Sequence, residues 1–250
     1  MAAFILLDTE TTGGGEKDRI CQLAFLVART KEPLKLFNSL CKPPVAIDFE
    51  AMAIHHITPE AIEDKPPFAE CEAAIALNEL NTEENALVIQ NAPFDLEMLR
   101  REGFEWKGVA IDTLRVSRHL LGDLPRHSLQ YLRYALSLYR SEGELAAQFG
   151  GKISAHDAAS DCVVLYLLTQ YLLAMTGKSK DGVFKLIELS NKPVALKTIR
   201  FGKHRDKSFN EIAKTDRGYL EWLFHSETQK ESPDSDLVYT LEQVLAADRQ

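Results

Sequence analysis

The sequence predicts an α/β fold: a mixed central sheet flanked by helices, with a small α+β appendage at the C-terminal end. Two patterns carry this reading. Three short apolar runs follow one another closely near the N-terminus, as in an antiparallel meander. Beyond about residue 68 strand and helix signals alternate, as in a sheet covered by crossover helices.

In order, residues 3–7 (Ala-Phe-Ile-Leu-Leu) read as a buried strand ending at Asp8. Thr12-Gly13-Gly14-Gly15 supplies a turn, and Ile20–Ala28 and Leu34–Cys41 are the next strands. Phe68–Leu80 reads as a helix, Ala86–Gln90 as a strand and Pro93–Arg101 as a helix with proline in its first turn. Val109–Asp112 reads as a strand, and Asp112 as the cap of a helix starting near Thr113. His127–Tyr139 and Asp157–Ala174 have helical periodicity. The Gly, Lys and Ser between 176 and 181 mark a linker, so the expected organisation is a domain over 1–176, a linker over 177–195 and a small domain over 196–250. In the last, Leu196–Phe201 reads as a strand and 202–207 as a basic turn. Ser208-Phe209-Asn210-Glu211 has capping-box spacing, Asp216 is placed to cap the next helix, and Ser235–Ala247 is an amphipathic stretch.

Bulk properties narrow the class. The chain has 250 residues, 45% of them apolar, enough for a substantial core. No basic-then-apolar leader opens it and no apolar run approaches a membrane span, so a cytoplasmic protein without a membrane partner is expected. The four cysteines lie far apart with no CxxC pair, which argues for free thiols and against zinc. The net charge of −8 argues against a broad nucleic-acid-binding surface. It is compatible with a site that is acidic because it holds metal ions.

Such a site is legible in three places. In Asp8-Thr9-Glu10, strand geometry turns both carboxylates to one face, where hard cations with oxygen ligands, magnesium above all, would relieve their repulsion. Asp95, in Asn91-Ala92-Pro93-Phe94-Asp95, falls near the positive end of a helix. His156 and Asp161 are five apart, a spacing that does not share a helical face, so His156 belongs to the loop before the helix that carries Asp161. Taken singly, each motif is also ordinary loop and cap chemistry.

Jointly, Asp8-Thr9-Glu10-Thr11-Thr12-Gly13, Asn91–Asp95 and His156–Asp161 resemble the DEDD exonucleases with a histidine base, the DnaQ-like family of proofreading and oligoribonuclease-like enzymes. The segment Ala51–Thr58, with Phe201–Lys207 and Asp216–Leu223, is similar to the exodeoxyribonuclease X branch. Two positions depart from the family pattern: Gln90 stands where many relatives have histidine, and His56 where many have glycine.

The resemblance implies an RNase H-like fold and 3′-to-5′ release of 5′-mononucleotides. Its cofactor would be two magnesium ions, replaceable by manganese, on Asp8, Glu10, Asp95 and Asp161, with Asp8 bridging. His156 would be the general base, since imidazole changes charge near neutral pH. Thr11, Thr12, His55, Asn91 and Phe94 become candidates to bind the terminal nucleotide, with core packing the preferred reading of Phe94. Lys203, Arg205 and Lys207, among interleaved aromatics, are candidate phosphate contacts; most of those aromatics are expected in the core. The implied partner is a DNA 3′ end, single- or double-stranded, and many relatives are homodimers. Two alternatives stay open: an oligoribonuclease-like enzyme acting on RNA, and a catalytically inactive nucleic-acid-binding protein.

Overall fold

The computed structural model describes residues 3–151, 153–177, 180–230 and 233–247. Two compact units divide at residues 190 and 191.

The first unit is built on a five-stranded sheet in the order β3-β2-β1-β4-β5. Its strands are β1 (Phe4–Thr11), β2 (Ile20–Ala28), β3 (Lys35–Leu40), β4 (Ala86–Ile89) and β5 (Val109–Asp112). The first three form the expected meander, and β4 and β5 add in parallel to β1, so the sheet is mixed. β1 does not stop at Asp8. The nine-residue β2 pairs with it as far as Thr11, satisfying the backbone of residues 9–11, with a register shift between Glu10 and Thr11.

Helices follow on both faces: α1 (Phe49–His55), α2 (Pro59–Ile62), α3 (Glu72–Glu79), α4 (Ala92–Arg101), α5 (Thr113–Leu120), α6 (Leu129–Ala135), α7 (Tyr139–Ala147), α8 (Ala158–Thr176) and α9 (Lys180–Asn191). Alternation along β1 and β2 divides their side chains between two cores. Leu6, Ala24 and Leu26 join α8, while Ile5, Leu7, Leu23 and Phe25 join α3 and α4. α8 is apolar nearly all round because the fold buries it. Its most apolar window has a mean hydropathy of 1.4, enough by length and composition to cross a membrane, contrary to expectation; 61% of that window is buried in the core.

Three expected elements take another form. The run Phe68–Leu80 breaks at Cys71, whose extended backbone makes it the N-cap of α3 after a short 3-10 turn. The run His127–Tyr139 breaks at Ser137, in the left-handed conformation with φ 58°, and a further helix, α7, follows. The expected linker over 177–195 is largely α9: Val183, Leu186, Ile187 and Leu189 form a helical stripe against the α8 core.

The second unit contains α10 (Phe209–Thr215), α11 (Arg217–Thr228) and α12 (Ser235–Ala247) around Phe209, Ile212, Leu220, Leu223, Leu237 and Leu241. Instead of the α+β appendage and the strand expected over 196–201, the described residues show one isolated bridge between Thr198 and Ser208. Ser208 caps α10 as its spacing predicts, accepting from the Glu211 amide. Asp216 occupies the N-cap position of α11, but its carboxylate binds Lys203 and His204 instead of the helix amides.

Candidate active site

β1 outruns β4. The last parallel pair is Leu6 with Val88, so Asp8 and Glu10 stand beyond the carboxyl end of β4, on the α8 side of the sheet. Open α/β sheets place their sites in this position. Asp161 reaches them from the first turn of α8, and ligand oxygens of Asp8, Glu10 and Asp161 lie within 4.8 Å of one another.

Asp95 arrives from the opposite layer. α4 packs on the other face of the sheet, where Thr9 points, and the Thr9 hydroxyl donates to Asp95 Oδ1 at 2.7 Å. Asp95 is buried and is the first of the neighbouring charges that raise Asp8, yet it is not in the three-carboxylate group. The four expected ligands are therefore neighbours, with three gathered and one held by Thr9.

Burial raises every one of these carboxyl groups, and a neighbouring negative charge adds to it in each case. Asp8 is driven well up, by burial first and then by Asp95, Asp161, Glu10 and Asp157. Burial, with Asp161 and Asp157, lifts Glu10 to about 8. Asp95 and Asp161 rise to about 7, each chiefly through burial. A carboxyl raised in the folded state binds its proton more tightly there, so stability is lost as pH climbs from the ordinary carboxylate range through the folded value. With divalent cations chelated, the thermal midpoint should fall between about pH 5 and about pH 8. Glu10→Gln should lessen that fall by roughly 2–8 °C, corresponding to about 1–2 kcal/mol. Identical profiles for Glu10→Gln and the parent protein would contradict the crowding of Glu10.

Side chains that sequence spacing did not single out hold the site. Asp157 caps α8 through Ser160 and accepts from Gln22 Nε2 at 2.9 Å, while Gln22 Oε1 accepts from the Ala158 amide, latching α8 to β2. Gln130 Nε2 donates to Asp161 Oδ1 at 2.5 Å, and Arg133 links Gln130 to Glu142 of α7. Gln90, where relatives have histidine, accepts from Thr113 and donates to the His127 carbonyl at 2.6 Å. Asp157 has a local signal, beside His156, and Gln90 has one as a departure from the family pattern.

His156 is exposed, in the turn before α8 as expected, with φ 60°. Its backbone amide donates to Asp161 Oδ2 at 3.2 Å. His55 is buried at the end of α1. Its Nδ1 accepts from the Ile57 amide at 2.9 Å, which leaves Nε2–H to donate to the Thr11 carbonyl at 3.2 Å. Burial lowers its pKa, consistent with this neutral form. His55 thus positions the strand after Glu10, and does not present a free imidazole to a substrate. His56 has φ 61°, the left-handed conformation that the family's glycine would adopt easily.

The expected nucleotide contacts divide. Thr12 is fully enclosed, with its hydroxyl donating to Asp18 at 2.7 Å, and the Thr11 hydroxyl donates to the Gly13 carbonyl. Both side chains therefore shape the turn. A Cβ on Gly13 would sit 2.7 Å from an Asp18 carboxylate oxygen and 2.8 Å from one of Asp48, so a side chain there would push both carboxylates aside. Asn91 is exposed at φ 71°, its amide donating to Asp112 Oδ1, and Asp112 also caps α5 as expected. Phe94 is half-buried against the α3–α4 core, as preferred. Lys203, Arg205 and Lys207 lie in the second unit, Lys203 paired with Asp216 at 2.7 Å.

Comparison with known proteins decides the family. The exonuclease family model matches residues 5–169. The chain belongs to the DnaQ-like exonuclease family. A second model, exodeoxyribonuclease X-like C-terminal, matches residues 199–226 of this exonuclease. Exodeoxyribonuclease 10 of Escherichia coli K12 is 27% identical over 88% of this chain and 90% of its own length. The DNA polymerase III epsilon subunit of Treponema pallidum is 31% identical over 70% of this chain and 79% of its own. Among solved structures, exonuclease X in complex with 5′ overhanging duplex DNA superposes with a TM-score of 0.56 at 21% identity, covering 75% of this chain and 99% of that one. Exonuclease I from Methylocaldum szegediense gives 0.52 at 22% identity, over 74% and 45%. These neighbours share the RNase H-like fold of the first unit.

Proposed function

We propose that this exonuclease shortens DNA from the 3′ end, using divalent cations and His156 as general base. The observation that carries the reading is the convergence of Asp8, Glu10 and Asp161, with His156 on the turn whose amide holds Asp161. Three crowded carboxylates, two of them buried and all with raised pKa values, are a poor arrangement without a cation and a good one for a hard divalent ion. Asp8, Glu10 and Asp161 would hold magnesium, or manganese in its place, and Asp95 would be the fourth ligand for a pair of ions. When bound, the ions supply Lewis-acid activation of the phosphate and lower the pKa of the attacking water. His156, exposed on the turn before α8, would take the proton of a water as it attacks phosphorus. The bond to the 3′-oxygen of the penultimate nucleotide breaks, that oxygen gains a proton, and a 5′-mononucleotide leaves. The terminal nucleotide would lie against the turn at Thr11–Gly13, whose shape His55 braces through the Thr11 carbonyl; Asn91 is the exposed candidate contact from the start of α4. DNA as substrate is supported by the exodeoxyribonuclease 10 likeness across both units.

Digestion of end-labelled DNA tests the reading. With magnesium, a 5′-labelled strand should shorten stepwise and a 3′ label should leave at once as a mononucleotide, both stopped by chelator. Immediate loss of the 5′ label would reverse the polarity. Cleavage confined to an RNA strand of the same sequence would reassign the substrate. No cleavage of either with magnesium or manganese would favour a protein that only binds nucleic acid.

A further inference from the structure

The second unit leaves part of its aromatic surface uncovered. Phe209 is buried and Phe224 packs on the core, as expected of most aromatics here. Trp222 and Phe201, however, are 61% and 44% exposed. An exposed indole forgoes a large burial gain, so its position asks for an explanation. Trp222 stands beside Tyr219 on α11, ring centroids 5.7 Å apart at 37°. The turn that follows Phe201 is laid over Tyr219: His204 packs edge-on at 4.8 Å, and Lys203 Nζ lies 5.0 Å from the ring centre. Asp216 anchors both Lys203 and His204 through one carboxylate, which fixes the turn against α11. Arg205 and Lys207 are exposed in the same turn. Residues 196–210 hold five Lys or Arg against the single acid Asp206, in a chain whose net charge is −8.

We propose that Trp222 is a base-stacking platform for single-stranded DNA, with Lys203, Arg205 and Lys207 meeting its phosphates. Aromatic faces accept any base, so the hold is independent of sequence, as an enzyme that shortens a strand base by base requires. Cations confined to one turn supply attraction that the acidic remainder of the chain does not. This inference rests on the reading of the chain as a DNA exonuclease.

The test uses the full chain in chelator, titrated with oligothymidylate. Trp106→Phe leaves Trp222 as the only tryptophan, and its emission should be quenched saturably. Trp222→Leu should weaken binding roughly five- to hundredfold, and Trp222→Phe should restore most of the affinity. Replacing Arg205 and Lys207 by glutamate should make the slope of log affinity against log salt shallower by about 1.4. Absent quenching, or unaltered affinity of Trp222→Leu, would overturn the platform. Equal or tighter binding of an RNA of the same length would overturn its assignment to DNA. Hydrolysis of thymidine 5′-monophosphate p-nitrophenyl ester by the unaltered chain with magnesium tests the nuclease reading separately, because that ester brings no strand to hold.

Discussion

Replacing Asp8 with asparagine is expected to lower exonuclease turnover by at least about 10³-fold while making the metal-free protein more stable by about 1 kcal/mol or more. The two effects have one origin. Burial first, and then the charges of Asp95, Asp161, Glu10 and Asp157, resist the ionisation of Asp8 in the absence of a cation. Asparagine keeps the shape and removes the charge. Turnover and thermal unfolding in chelator, measured on the same preparation near pH 8, check both effects. A residue needed mainly for folding would lose activity and stability together. Activity lost with a gain in stability marks a site that is strained for its task. Unchanged turnover would remove Asp8 from the chemistry.

The second large effect concerns His156. Its removal should lower kcat by about 10²- to 10⁴-fold, with little change in KM or in the stabilisation conferred by magnesium. The side chain is exposed, and the contact with Asp161 is made by the backbone amide, which any replacement retains. Because His156 sits at φ 60°, asparagine is the better substitute: it tolerates the left-handed region and cannot serve as a base at neutral pH. His156→Asn and His156→Ala should be about equally inactive, with alanine the less stable. Turnover within about tenfold of the parent in both variants would assign proton removal to another group.

Much of the fold follows from periodicity. β2 and β5 have the predicted bounds, and α8 lies within two residues of its predicted ends. These are long apolar or sharply capped segments, for which local pattern and burial agree. Local pattern failed where a single residue turned the chain. Cys71 and Ser137 each split an apolar stretch that periodicity reads as one helix. It also fails at α9, where Gly, Lys and Ser between 176 and 181 signal a linker directly ahead of the apolar stripe of residues 183–189.

For the proposed site, the sequence alone nominated the candidates, four carboxylates and one histidine, and placed Asp8 and Glu10 on one face, since strand geometry leaves no other arrangement. Tertiary structure decided the grouping. Asp161 joins them because α8 packs on their face of the sheet, whereas Asp95 comes from the other layer and meets Thr9 first. It also decided the supports: Gln22 reaches Asp157 across 135 residues, and Gln130 reaches Asp161 across 31. The physical reason is range. Backbone periodicity governs a residue's neighbours within a few positions, but the distance between carboxylates on two layers depends on how both cores pack against the sheet between them.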